Sequence, residues 1–248
     1  MAFDPVWQAW PWSNQDVAMS PVLPRLDTES ARHVLVTLSR PRLSRYLQLA
    51  GGNLQQALKL YILNSRVSAA FLHDLHFVEV ALRNKFDAQL VLRYGQDWYA
   101  RSDFLSLING RGRSILLKAQ RDAARGDSPD SSVAPGKVIA ELSFGFWLQL
   151  TDAPLEHGLW VPCLHRAFAP RRAPKRSVFN ARLEVLRQLR NRIAHHEPVL
   201  HWDLLASYRD IQQIGALLCP HTARLMRASS TVPRQVMAVV KYRRRRGF

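Results

Sequence analysis

An all-helical fold is what this sequence predicts, on three observations. Apolar residues recur three and four positions apart over long stretches, which is the period of a helix face. The breaks between those stretches fall at glycine, proline and small polar residues of the kinds that start and stop helices. No segment sustains the apolar–polar alternation of a half-buried strand. The one exception, 232–241 (VPRQVMAVVK), could be a strand only if it found a partner to pair with.

The elements follow in order. Residues 1–27 form an arm with prolines at Pro5, Pro11, Pro21 and Pro24 and tryptophans at Trp7, Trp10 and Trp12. Prolines at that density prevent a long helix, and the tryptophans mark a segment that packs on its own core or on another subunit. A helix is expected over 28–39 with Thr28 or Ser30 as its N-cap, and a short one starts at Pro41. Gly51-Gly52 breaks the chain, and Asn53 then caps a long helix running to about Arg93. Its apolar positions are Leu54, Leu58, Tyr61, Ile62, Ala69, Leu72, Leu75, Val78, Leu82, Phe86 and Leu90. That length exceeds the usual range, so a kink is expected near Ser65 to Ser68. Tyr94-Gly95 ends it.

A further helix is expected over 113–125, followed by a loop at 126–137 (GDSPDSSVAPGK). Residues 137–151, rich in Phe and Trp, read as a buried helix, and 155–168 as another. Residues 170–177 (PRRAPKRS) are a basic connector. Ser177 caps a helix from Val178 to about Glu197, which Pro198 stops, and 203–218 is helical again. The organisation expected is one helical domain over 28–228, preceded by the arm and followed by a basic tail over 229–248.

Composition excludes several classes. The chain is 47% hydrophobic, an ordinary value for a soluble globular protein. No run of about 18 uncharged apolar residues is present, and the N-terminus lacks a basic start and apolar run, so a cytoplasmic protein without a membrane partner is expected. Cys163 and Cys219 lie far apart and read as two inert thiols. The net charge is +16 and unevenly placed: residues 171–248 carry 17 Lys and Arg against 4 Asp and Glu. Such a segment attracts polyanions, and nucleic acid is the leading partner. The residues expected to contact it are Arg171, Arg172, Lys175 and Arg176 in the connector, and Arg243, Arg244, Arg245 and Arg246 in the tail. Four consecutive arginines are usually a solvated tail, one that can still raise RNA affinity without conferring sequence preference.

The densest polar cluster on any expected helix is Leu189-Arg190-Asn191-Arg192-Ile193-Ala194-His195-His196-Glu197-Pro198. Asn191 and His195 are four apart and share a face, with Arg190 one step round. Arg192 and His196 form a neighbouring polar row, and Leu189 with Ile193 marks the core side. This set suits RNA cleavage, because the RNA 2′-hydroxyl is a built-in nucleophile. His195 would move the proton, Arg190 would hold the phosphate and offset charge built up during attack, and Asn191 would orient. His196 is the rival for the working histidine.

Glu79-Val-Ala-Leu-Arg83-Asn84, Ala140-Glu-Leu-Ser-Phe-Gly-Phe-Trp147 and the 189–198 segment, with Asn64, Tyr94-Gly95 and Trp98-Tyr99 in order between the first two or near them, resemble the signature blocks of Abi-like (abortive infection) proteins. The resemblance covers roughly residues 40–225. That family is grouped with the HEPN superfamily, so it implies a HEPN-like helical bundle, often a homodimer whose two sites face each other across a two-fold axis. It also implies metal-independent endoribonuclease activity that leaves a 2′,3′-cyclic phosphate and a 5′-hydroxyl, in antiviral abortive-infection or toxin–antitoxin defence. On this matching Arg190 and His195 are the R-x4-H pair and Asn191 the polar second residue.

Two alternatives stay open beside the nuclease: a non-catalytic RNA-binding module, and an interaction component of a defence system with an antitoxin or regulatory partner. Glu79 and Arg83, four apart, either form a structural salt bridge of modest value, or Glu79 lines the cavity of the site and positions an arginine. His73, His76 and Glu79, or His195 to Glu197, lack a familiar metal-ligand spacing, so neither a metal nor another cofactor is expected.

Overall fold

A computed structural model describes residues 26–125, 133–168 and 173–246, with only the backbone described for Arg245 and Arg246. The fold is all-α: the described residues contain helices and turns and no strand. The N-terminal arm with its tryptophans, most of the 126–137 loop, and Arg171 and Arg172 lie outside the described residues. No helix among the described residues is long and apolar enough to cross a membrane.

The described residues divide into two compact units, one of residues 26–65 with 237–246 and one within residues 66–236. In the first, α1 (Thr28–Leu38) is capped by Asp27, whose carboxylate accepts from the Ser30 backbone N–H at 2.8 Å, rather than by Thr28 or Ser30. Helix α2 (Arg40–Leu49) follows, and Asn53 caps α3 (Leu54–Tyr94) through the Gln56 N–H at 3.0 Å. Tyr46 is fully buried and meets the edge of Tyr61, with ring centroids 5.4 Å apart. Helix α3 is continuous through Ser65–Ser68, where the kink was expected, and the division between the units falls at that point.

The second unit is built on the remainder of α3, whose Leu75, Val78, Leu82, Phe86 and Leu90 are fully buried at the expected three- and four-residue spacing, whereas Ala69 and Leu72, expected on the same face, are exposed. Around it lie α4 (Ser102–Leu107), α5 (Gly110–Ala123), α6 (Pro135–Glu141), α7 (Phe144–Gln149), α8 (Arg176–Ala194), α9 (Leu204–Leu218) and α10 (Pro220–Ser229). Helix α11 (Val232–Arg246) begins in this unit. Two aromatic clusters fill the core. Trp98 sits against Phe104, Phe146 and Trp147 at centroid distances of 4.9, 6.2 and 6.0 Å. Phe86 meets Trp160, Phe168 and Phe179 at 6.4 to 6.5 Å.

Several boundaries differ from the sequence expectation, each for a local reason. The helix expected over 137–151 is two, because Leu142 and Ser143 are extended (ψ 120° and 159°) between α6 and α7. Residues 155–168 form short 3-10 and π-helical turns rather than one helix. Pro162 has no N–H to continue an α ladder, and Gly158 lies so close to Leu107 that a Cβ there would come within 3.0 Å of its Cδ2. Residues 232–241 are helical, not a strand: Val232, Val236 and Val239 are buried four and three apart. The expected tail is therefore an ordered helix through Arg246, with Arg243 and Arg244 exposed.

Candidate functional site

The polar residues singled out on α8 are distributed over two places. The first is a cleft of about 350 Å³ lined by α3 (His76, Glu79, Val80, Arg83), by the α6–α7 break (Ala140 to Phe144, and Trp147) and by Arg190 of α8. On α3 the spacing of three and four puts His76, Glu79 and Arg83 on one face. Glu79 turns to Arg190 instead of Arg83: its Oε1 accepts from Arg190 Nε at 3.2 Å across 111 positions of sequence. Arg83 Nε donates to the neighbouring Asn84 Oδ1 at 3.3 Å. The terminal nitrogens of Arg190 have no partner among the described residues, and 38% of its side chain is exposed. A guanidinium held by one nitrogen and open at the other two has the fork geometry that suits a phosphate.

The second place is the end of α8. Helix α8 stops at Ala194, earlier than Pro198 requires, in a Schellman turn. The Glu197 N–H donates to the Arg192 carbonyl at 2.8 Å, and the His196 N–H to that of Ile193 at 3.0 Å. His195 is the C-cap residue, and His196 takes the left-handed conformation that favours glycine (φ 55°). Arg192 braces the turn. Its Nη2 lies 3.2 Å from Glu197 Oε2 and donates to the Pro198 carbonyl at 3.3 Å, while its guanidinium carbon lies 5.8 Å from the centre of the Trp202 ring. His195 and His196 are exposed, Asn191 is half-buried, and Leu189 and Ile193 are buried.

The structure thus brings Arg190, Glu79 and Arg83 together in one cleft, and His195, His196, Asn191 and Arg192 are not among its lining residues. Five residues of helix turn a side chain by about 140° and advance it about 7.5 Å, which accounts for the separation. Glu141, Ser143 and Trp147 enter the cleft from a segment that sequence reasoning assigned to the core. Their signal was a carboxylate and a hydroxyl set into an otherwise apolar run.

The connector arginine expected to contact nucleic acid is instead turned inward. Only 9% of the Arg176 side chain is exposed; its Nε lies 2.9 Å from Glu156 Oε2, and Nη1 donates to the Thr151 carbonyl at 2.8 Å. Arg176 also opens α8, where Ser177 was expected to cap, and Lys175 is the exposed residue before it. Arg176→Ala is expected to lower stability by about 2–3 kcal/mol, since it strands a partly buried carboxylate and a carbonyl. Thermal melting checks this, and nucleic-acid affinity should stay unchanged.

His73 is drawn away from a joint arrangement with His76. Its Nδ1 lies 3.0 Å from Asp74 Oδ1, and Asp74 also accepts from Ser230 Oγ at 2.6 Å. Burial pushes the Asp74 carboxyl up, and the bonds from Ser230 and His73 pull it back. Asp74 occupies an apolar slot, three after Phe71 and four before Val78, which is how sequence could have flagged it. Among the described residues no three His, Cys, Asp or Glu side chains are grouped to hold a metal ion.

Compared with known proteins, the chain matches no protein-family model, no curated protein and no solved structure.

Proposed function

We propose that this chain is a metal-independent endoribonuclease of the HEPN type, acting in abortive-infection or toxin–antitoxin defence and using the RNA 2′-hydroxyl as its nucleophile. The observation that supports it most is Arg190, fixed through Nε by Glu79 while its remaining nitrogens open to a polar cleft. In this reading Arg190 binds the scissile phosphate, His195 on the exposed helix end moves the proton, and Asn191, one turn before His195, orients it. Arg192 holds the turn that carries both histidines. RNA is the partner, drawn in by the charge of the last third of the chain. A homodimer belongs to the same reading, because a second copy can bring its own α8 end to the cleft of the first. An antitoxin or regulatory partner would restrain the activity in the cytoplasm of the producing cell.

Purified protein is expected to cut structured RNA in excess chelator, and Arg190→Ala to slow the cut by about 10²-fold. No products from the wild type at any enzyme concentration would reject the reading. A second reading, a non-catalytic RNA-binding module, is favoured by one specific observation: His195 is not among the residues lining the cleft that holds Arg190. It requires salt-sensitive RNA binding without products.

A further inference from the structure

The fold gathers positive charge in a place that the order of the chain conceals. On α8 the arginines are answered by carboxylates. Beside the pairs of Arg176 and Arg190, Arg182 faces Asp210, Arg187 faces Glu184 and Arg192 faces Glu197, at 2.6 to 3.5 Å. The first unit has no such balance. Residues 26–65 and 237–246 hold ten Lys and Arg against two Asp and Glu. Five of these cations come from α1, α2 and the start of α3, and five from the end of α11. Two basic segments from either side of the second unit are thus folded into one body. Both of its carboxylates are already engaged. Asp27 caps α1 through the Ser30 N–H and hydroxyl, and Glu29 lies 3.9 Å from His33. Like charges brought together without acids to offset them oppose compaction of the unit. A polyanion laid against the unit removes that repulsion and gains the entropy of its own released counterions.

We propose that this unit is an anchoring surface for the sugar–phosphate backbone of RNA helices, which it holds by charge and without reading sequence. The inference goes beyond the endoribonuclease reading and does not require it, since an RNA that is never cut would be held in the same way. Two observations choose RNA helices among polyanions. The apolar face of α11 is buried at Val236 and Val239, so its charged end is not joined to a face that could enter a lipid surface. The aromatic rings described in the unit, Tyr46, Tyr61 and Tyr242, are buried or half-buried, whereas Arg40 and Arg45 on α2 and Lys241 and Arg244 on α11 are exposed. Cations presented without stacking platforms suit a backbone whose bases are already paired, not a single strand.

The test is binding of the full chain to a labelled RNA hairpin stem, followed by anisotropy at several salt concentrations. Wild type is expected to bind with a steep salt dependence. The pair Arg40→Gln with Arg45→Gln, and the pair Lys241→Gln with Arg244→Gln, each weaken binding by about tenfold and lower the slope against log salt by about 1 to 2. Arg40→Lys with Arg45→Lys keeps the charge and the affinity. Arg111→Gln with Arg113→Gln removes the same charge from exposed positions on α5 of the second unit and leaves affinity near wild type. Both glutamine pairs in the first unit melt at or above wild type, because repulsion falls, whereas a merely structural role would lower the melt. No salt-dependent RNA binding by wild type, wild-type affinity in both folded first-unit pairs, or equal weakening by the α5 pair overturns the proposal. So does binding that follows the base sequence of the stem, or a preference for phosphatidylserine–phosphatidylcholine vesicles over RNA. RNA held through this unit with no cut made sustains the anchor and removes the nuclease. Cleavage by a protein whose first-unit pairs bind and cut as wild type does the reverse.

Discussion

Replacing His195 with alanine should reduce RNA cleavage by at least about 10²-fold, the scale of a lost general acid or base, while RNA binding and folding stay near wild type. The backbone makes the variant a clean one. His195 closes α8 through its own N–H, which donates to the Asn191 carbonyl at 3.0 Å, and alanine keeps that bond. The imidazole is exposed, so its removal leaves no cavity. His196 provides the internal contrast. It sits at φ 55°, where an L side chain is strained by about 1 kcal/mol. His196→Gly is therefore expected to raise stability by up to about 1 kcal/mol and to keep the cleavage rate. Single-turnover rates on labelled RNA, with thermal melts of both variants, check the pair. A His195→Ala protein at full rate beside an inactive His196→Gly protein would transfer the catalytic role to His196.

The largest stability loss is expected at Trp98. It is fully buried, rests against Phe104, Phe146 and Trp147, and donates from its indole N–H to Asp87 Oδ1 at 2.7 Å. Truncation to alanine removes this packing and strips Asp87 of its donor. The expected cost is about 3–5 kcal/mol, a large share of the stability of a domain of this size. The damage also reaches the function, because Phe146 and Trp147 belong to α7 and Trp147 forms part of the cleft wall. Denaturant melts of Trp98→Ala and Trp98→Phe measure it. Trp98→Phe should lose less, since it retains an aromatic ring against the cluster. A Trp98→Ala protein within about 1 kcal/mol of wild type would show that the cluster is not the keystone of the second unit.

Helical class and core faces were legible in the sequence because they depend on periodicity. Leu75, Val78, Leu82, Phe86 and Leu90 sit inside as their spacing requires, and Asn53 caps the long helix as its residue type favours. The misreadings arise where tertiary contacts decide. Valine enrichment pulled 232–241 towards a strand, yet burial of Val232, Val236 and Val239 follows a helix period. The α6–α7 break has no glycine or proline to announce it, and a Schellman turn with histidine in the usual glycine place gave no warning that α8 ends at Ala194. At the site, sequence found Arg190 and Glu79 separately. It left open whether Glu79 lines the cavity of the site arginine, which it does across 111 positions, and it could not tell that Arg176 turns inward to Glu156 instead of outward to solvent.

Attack by the RNA 2′-hydroxyl leaves its mark on the product ends, whose chemistry reports most directly how RNA is opened. Wild-type protein incubated with a defined RNA in excess chelator should yield 2′,3′-cyclic phosphate on one fragment and a 5′-hydroxyl on the other, as attack by the neighbouring 2′-hydroxyl requires. Fragments bearing a 5′-phosphate and a free 3′-hydroxyl, or cleavage that stops when the chelator is added, would contradict it.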